Sequence, residues 1–244
     1  GVPIVKALRE GLVGNKVSRI FGILNGTCNY ILSEMRQTGK NFELVLKEAQ
    51  GLGYAEANPA FDIDGVDAAH KLSILTSLAF GCEVDFKAVH IEGINRISPL
   101  DIEFANDLGY RIKLLGISRK TELGIEQRVH PCMVSINAPI AHIEGVFNAV
   151  VAEGDFVGTS MYQGRGAGEG PTASAVVADI IDIARDRILK TFTIPATELL
   201  KATAVPISER IGSYYVRFMV LDKPGVFATI ADALKDNDVS MEAI

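Results

Sequence analysis

The sequence predicts an α+β (mixed α/β) protein, a mixed β-sheet with helices packed on it, followed by a short βαβ segment. Three observations carry that expectation. Up to about residue 110, stretches with helical spacing that end on glycine alternate with β-branched stretches. From 110 to 160, RIKLLGISRK, GIEQRVHPCMVSI and FNAVVAEG follow one another with a turn signal between each pair. Hairpin-like connections of that kind suit a mixed sheet of five or six strands better than a purely parallel one. Last, the composition changes near residue 190, where a proline-bearing stretch without sustained period precedes a strand–turn–helix pattern.

The chain has 244 residues, room for one large domain or one and a half ordinary ones. It is 48% hydrophobic and 22% charged, the composition of a soluble globular protein. A net charge of −6 argues against nucleic acid or an anionic membrane as partner. No apolar run reaches transmembrane length, and no basic-then-apolar leader is present, although both ends read as cut. Cys28, Cys82 and Cys132 are odd in number and far apart, which suits free thiols in a reducing cytoplasm better than a disulfide framework. The histidines at 70, 90, 130 and 142 lack the spacing of a transition-metal site.

GVPIVKALREGL reads as a helix with Pro3 in its first turn, where a missing N–H costs nothing. KVSRIFGIL follows as a strand ending at Asn25-Gly26-Thr27, which opens the helix TCNYILSEMRQTG. Such a turn offers backbone N–H groups and a hydroxyl to an anion, and is equally a helix cap formed by Asn25 or Thr27. Cys28, at that helix start, has two readings: an activated nucleophile, or the buried small hydrophobe that most free cysteines are. FELVLKEAQGLG is an amphipathic helix stopped by Gly51 and Gly53. After the next helix, FKAVHIEGI looks like a strand, and SPLDIEFANDLG starts a helix on Ser98-Pro99.

Between these lies AEANPAFDIDGVDAAHKLS, residues 55–73. It begins as a loop, since Pro59 biases Asn58 away from helix. It ends as a helix with Ala68, Leu72, Leu75 and Ala79 on one face. Asp67 and Lys71 are four apart and share a face, with Asp64 three residues earlier. A lysine held beside carboxylates at the mouth of a loop is a candidate proton-transfer group. The same spacing also describes an ordinary surface pair of ~0.3–0.5 kcal/mol, with Asp64 as N-cap and Asp67 closing a capping box.

The second informative stretch, DFVGTSMYQGRGAGEGPTASAVVADIIDIARDRI, places Gly164, Gly166, Gly168 and Gly170 before Pro171 and an apolar-periodic helix. Glycines there let backbone approach a ligand closely at a helix N-terminus. The register is not that of a dinucleotide fingerprint. KTFTIPATELLKATAVPISERIGS then reads as a linker. YYVRFMVLDKPGVFATIADALKDNDVSMEAI reads as strand, turn, helix and the start of another strand.

Ala49, Gly51, Asn58-Pro59, Asp62, Gly65, Asp67 and Lys71 resemble the signature of homoserine dehydrogenases. The resemblance implies a catalytic and dimerisation domain over residues 1–190, a linker over 191–212 and a truncated ACT-like regulatory domain over 213–244. The last of these rests on Asp222-Lys223-Pro224-Gly225-Val226, with Asp238 where that family usually has glycine. It implies NAD- or NADP-dependent hydride transfer between L-homoserine and L-aspartate 4-semialdehyde, in threonine, methionine and isoleucine biosynthesis. Lys71 would be the proton donor, oriented by Asp67. Glu56 would hold the substrate ammonium, while Asp62, Thr27 and Tyr54 would contact the substrate. Gly168, with Gly166, would face the nicotinamide. The resemblance also implies a sodium ion on backbone carbonyls, to which Val2 contributes one, a homodimer or tetramer, and threonine as the candidate allosteric effector. Two alternatives remain: a cysteine-dependent semialdehyde dehydrogenase using Cys28, and a non-catalytic amino-acid-sensing and dimerisation module.

Overall fold

The computed structural model describes residues 1–187 and 189–243, in two compact units spanning residues 1–211 and 212–244. The first unit is built on a six-stranded sheet of order β2-β4-β3-β1-β5-β6. Its strands are β1 (Val17–Ile23), β2 (His90–Ile91), β3 (Tyr110–Thr121), β4 (Gly124–Ser135), β5 (Phe147–Gly154) and β6 (Gly158–Arg165). β2 runs parallel to β4 and every other pairing is antiparallel, so the sheet is mixed as expected. β3–β4 and β5–β6 are hairpins, and β1 lies between them, with Gly22 opposite both Gly116 and Val150.

The helices are α1 (Ile4–Lys6, widening into a π-type turn over Ala7–Gly11), α2 (Gly26–Thr38), α3 (Phe42–Gly51), α4 (Ala60–Ile63), α5 (Val66–Phe80), α6 (Pro99–Asp107) and α7 (Glu169–Ala184). Instead of surrounding the sheet, α1, α2, α3, α5 and α6 contribute to one core against one of its faces. There Leu8, Ile31, Val45, Leu72 and Ile102 meet Ile20, Leu114, Val129 and Val150. Each such side chain withdrawn from water contributes ~1.5–3 kcal/mol. The opposite face carries a smaller core, in which Ile140 and Ile143, of and beside the short 3-10 turn Pro139–His142, cover Ile23, Leu115, Ile117, Ala149 and Val151. These five side chains are buried within the chain itself.

Four other sequence expectations change. FKAVHIEGI forms only the two-residue β2, because the chain leaves the sheet at once. Glu92 N–H bonds to the Val129 carbonyl at 2.8 Å and Ile94 N–H to the Ile63 carbonyl at 2.9 Å. The glycine-rich stretch before α7 holds the edge strand β6, whose glycines and polar residues hid its alternating exposure. Of residues 191–212, expected as a linker, those up to 211 belong to the first unit. Leu200 accepts from Glu83 N–H at 3.0 Å, and Thr203 from Ile125 N–H at 2.9 Å. In residues 212–243 the one regular element is helix α8 (Val226–Asp236), and the strand expected at its start is not formed. Among the described residues of the unit there is no second strand with which 214–221 could form a ladder.

The motif segment folds as two helices around Gly65. Asp64 ends α4 as its C-cap, and Gly65 starts α5 in the left-handed region at φ +85°. A Cβ on Gly65 would stand 3.2 Å from Val129 Cγ1 and 3.3 Å from Ile91 Cγ2, so the turn needs glycine for both conformation and space. The Asp64–Asp67 capping box is therefore replaced by a glycine start. Asp62 and Asp67 are left on either side of the kink.

Candidate active site

β1 delivers Asn25 to the N-terminus of α2 in extended backbone (φ −125°, ψ 122°), where its Oδ1 accepts from Cys28 N–H at 2.8 Å. The same side chain donates from Nδ2 to Asp62 Oδ1 at 2.7 Å and to Asp67 Oδ2 at 2.8 Å. Asp67 Oδ2 also accepts from Lys71 Nζ at 2.6 Å, and Lys71 donates to the Leu24 carbonyl at 3.2 Å. The Asp67–Lys71 pair is thus one side of a cluster reaching two other elements, not an isolated surface pair. The Lys71 side chain remains 51% exposed and that of Asp67 19%, so the ammonium lies at the surface of the cluster, within reach of a ligand.

Around this centre, the Thr27 hydroxyl donates to the Tyr54 carbonyl at 2.7 Å, tying the α2 N-terminus to the loop after α3. The Tyr54 ring lies edge-on to Tyr30 with centroids 4.9 Å apart. Glu56 is exposed. Its backbone carbonyl accepts from Gln50 Nε2 at 3.0 Å, while its carboxylate has no hydrogen bond or ion pair among the described residues. Asp62, Asp67 and Glu56 against one lysine leave an excess of negative charge, which favours a cationic ligand group.

Cys28 does not form a nucleophile. Its side chain is fully buried, its thiol donates to the Asp62 carbonyl at 3.2 Å, and burial pushes its pKa well above the usual thiol range. Asp62, Asp67 and Asp64 push it further in that direction. Among the described residues, the histidine that meets a cysteine is His130, beside Cys132.

The glycine loop comes to the same end of β1. Asn148 donates to the Ile23 carbonyl at 2.9 Å, and its Oδ1 fills the space where a Gly166 side chain would stand, 2.0 Å from that Cβ position. A Cβ on Gly26 would lie 3.7 Å from the same oxygen. Gly168 begins α7 at φ 105°, ψ 165°, a conformation other residues rarely adopt. A Cβ there would meet nothing closer than Pro171 Cδ at 3.9 Å. At Val2 the carbonyl accepts from Ile4 N–H at 2.8 Å. Among the described residues, no group of three or more His, Cys, Asp and Glu side chains could hold a metal, and no helix is long and apolar enough to cross a membrane.

The structure therefore brings Asp62, Asp67 and Lys71 together around Asn25, and ties Thr27, two residues after Asn25, to Tyr54. Hydrogen bonds do not join Glu56 to the cluster. Sequence reasoning missed Asn25 and Asn148. The asparagine before Gly26 announces a helix cap, but nothing local tells that its amide meets carboxylates 37 and 42 residues away.

A family model described as homoserine dehydrogenase matches residues 3–181. A homoserine dehydrogenase of Neisseria gonorrhoeae is 51% identical over the whole of this chain, which spans 58% of that relative's length. A solved homoserine dehydrogenase from Thiobacillus denitrificans superposes with a TM-score of 0.90 at 45% identity, covering 99% of this chain and 57% of that one. A hyperthermophilic archaeal homoserine dehydrogenase, solved in complex with NADPH, gives 0.65 at 31% identity, covering 76% and 53%. On the family match and on identity along its full length, this chain belongs to the homoserine dehydrogenase family.

Proposed function

We propose that this chain supplies the substrate side of an active site interconverting L-homoserine and L-aspartate 4-semialdehyde with NAD or NADP. The observation that carries it is the Asn25–Asp62–Asp67–Lys71 cluster, closed by contacts of 2.6–2.8 Å, in a chain of this family. The negative excess of the cluster suits the substrate ammonium, with Glu56 as its charge-assisted partner. Asp62, Thr27 and the Tyr54 loop would orient the rest of the amino acid. Lys71, fixed by Asp67 and the Leu24 carbonyl, would give its proton to the C4 carbonyl oxygen in reduction and take it back from the alcohol in oxidation. When bound, the nicotinamide would supply or accept the hydride, and Gly168, with Gly166, would face it.

Self-association as a dimer or tetramer belongs to the same proposal, supported by the open edge of β6 with Met161 exposed. Threonine regulation through residues 213–244 has only the sequence resemblance behind it. A sodium ion at Val2 has less, since that carbonyl already accepts the Ile4 amide and is a single oxygen ligand.

The test is an assay of the full-length protein with L-homoserine and either nicotinamide, following reduced cofactor. Turnover that requires homoserine supports the proposal. Failure to oxidise homoserine or to reduce the semialdehyde with either cofactor overturns it.

A further inference from the structure

Asn25 is 5% exposed, and its amide oxygen and both amide hydrogens are engaged. Oδ1 accepts from Cys28 N–H at 2.8 Å, and the two Nδ2 hydrogens go to Asp62 Oδ1 at 2.7 Å and Asp67 Oδ2 at 2.8 Å. This assignment of oxygen and nitrogen is forced: the backbone N–H needs an acceptor and two carboxylates need donors. A helix cap requires only the oxygen, so serine or aspartate would serve equally well. The amide nitrogen is what distinguishes asparagine here. Asp62 lies in α4 and Asp67 in the first turn of α5, across the Gly65 kink, and two carboxylates so placed repel one another. A neutral double donor holds both without adding charge, leaving Asp67 Oδ2 free to accept from Lys71 as well.

We infer that Asn25 is a positioning residue for the reaction. Its amide fixes the separation of Asp62 and Asp67, and through Asp67 it sets where the Lys71 ammonium stands. This rests on the proposed function, and its test separates the two.

The experiment compares the full-length wild type with Asn25→Ser and Asn25→Asp, in normal and Asp67→Asn backgrounds. Serine keeps the cap but cannot bridge two carboxylates. Aspartate keeps the cap and places a third carboxylate beside the other two. Asn25→Ser should retain the wild-type melting temperature within a few degrees, whereas Asn25→Asp, with a third carboxylate at a buried position, should lower it. Asn25→Ser should lower kcat by about 10–100-fold, the scale of a misplaced catalytic group, with KM for homoserine changing less than fivefold. Asn25→Asp should lower it further. In the Asp67→Asn background, Asn25→Ser should cost less than threefold, because its effect on the lysine passes through Asp67. A purely structural cap would give losses that multiply in the two backgrounds, or none at all. Either result, with an active wild type, overturns the inference. A wild type inactive on homoserine overturns the functional proposal instead.

Discussion

Lys113 offers the sharpest test of the physical picture, because its energetics can be worked from the structure. It is 2% exposed on the β3 face that carries the smaller core. Its Nζ donates to the Ile143 carbonyl at 2.6 Å and to Asn29 Oδ1 at 3.2 Å, and stands 3.5 Å from Glu144. Glu144 also receives Arg111 at 2.9 Å and Arg36 at 3.1 Å. Burial pushes the Lys113 pKa from 10.5 to about 8 despite Glu144. Keeping that lysine charged at neutral pH therefore costs ~3 kcal/mol. Lys113→Met removes that cost, loses the packing-neutral donor to Asn29 Oδ1 at ~1–3 kcal/mol, and leaves Glu144 still paired with two arginines. The variant should lie within ~2 kcal/mol of wild type at pH 7. Glu144→Gln strands three cations around a neutral group and should lose ~3–5 kcal/mol.

The pH dependence has a fixed sign. Between about 8 and 10.5 the folded lysine is mostly neutral while the unfolded one is still protonated. The unfolded state then binds more protons, so this group's contribution to stability rises with pH. Relative to Lys113→Met, wild type should gain up to ~1.4 kcal/mol per pH unit across that window. Thiols raised by burial, such as Cys132, act in the opposite direction but are common to both proteins and cancel in the difference. Urea denaturation of wild type and both variants at pH 7 and 9.5 reads all of this. If wild type and Lys113→Met keep the same difference at both pH values, the desolvation account of Lys113 is refuted. If Glu144→Gln costs less than Lys113→Met, the carboxylate is not the centre of the cluster.

Two further outcomes concern ligands. Glu56→Gln in the full-length enzyme should raise the homoserine KM more than it lowers kcat, because an ammonium contact exists in ground and transition states alike; steady-state kinetics with an unchanged KM would move the ammonium site elsewhere. Gly168→Ala forces a side chain into φ 105°, ψ 165° at ~1–3 kcal/mol of strain and should weaken cofactor binding about tenfold with little change in homoserine KM, measured by calorimetry and kinetics. Unaltered cofactor affinity would remove this loop from the nicotinamide site.

Much of the fold follows patterns that act locally. The β3–β4 hairpin is announced by β-branched residues around Glu122-Leu123-Gly124, and α6 by Ser98-Pro99, whose serine does form a capping box with Asp101. Asp67 and Lys71 meet because helical spacing requires it. What local pattern could not supply lies where tertiary partners decide. β2 is two residues long because Ile94 bonds to Ile63, and β6 is a strand because β5 offers it a ladder. The stretch 214–221 has strand-like composition and no strand beside it. Within the site, Asp62, Asp67 and Lys71 were legible as a motif. Asn25 was legible only as a cap, since its second role depends on residues more than thirty positions away.

Lys71, held by Asp67, is the group proposed to move the proton in homoserine oxidation and semialdehyde reduction. Its role is measured most directly by the turnover of full-length Lys71→Met with homoserine and saturating cofactor, beside a melting curve showing that the variant is folded. Here kcat should fall by ~10²–10⁴ while the homoserine KM changes only a few-fold, because the group acts chiefly in the transition state. A folded variant whose kcat falls by less than about tenfold would contradict the assignment, since general acid–base groups contribute more than that.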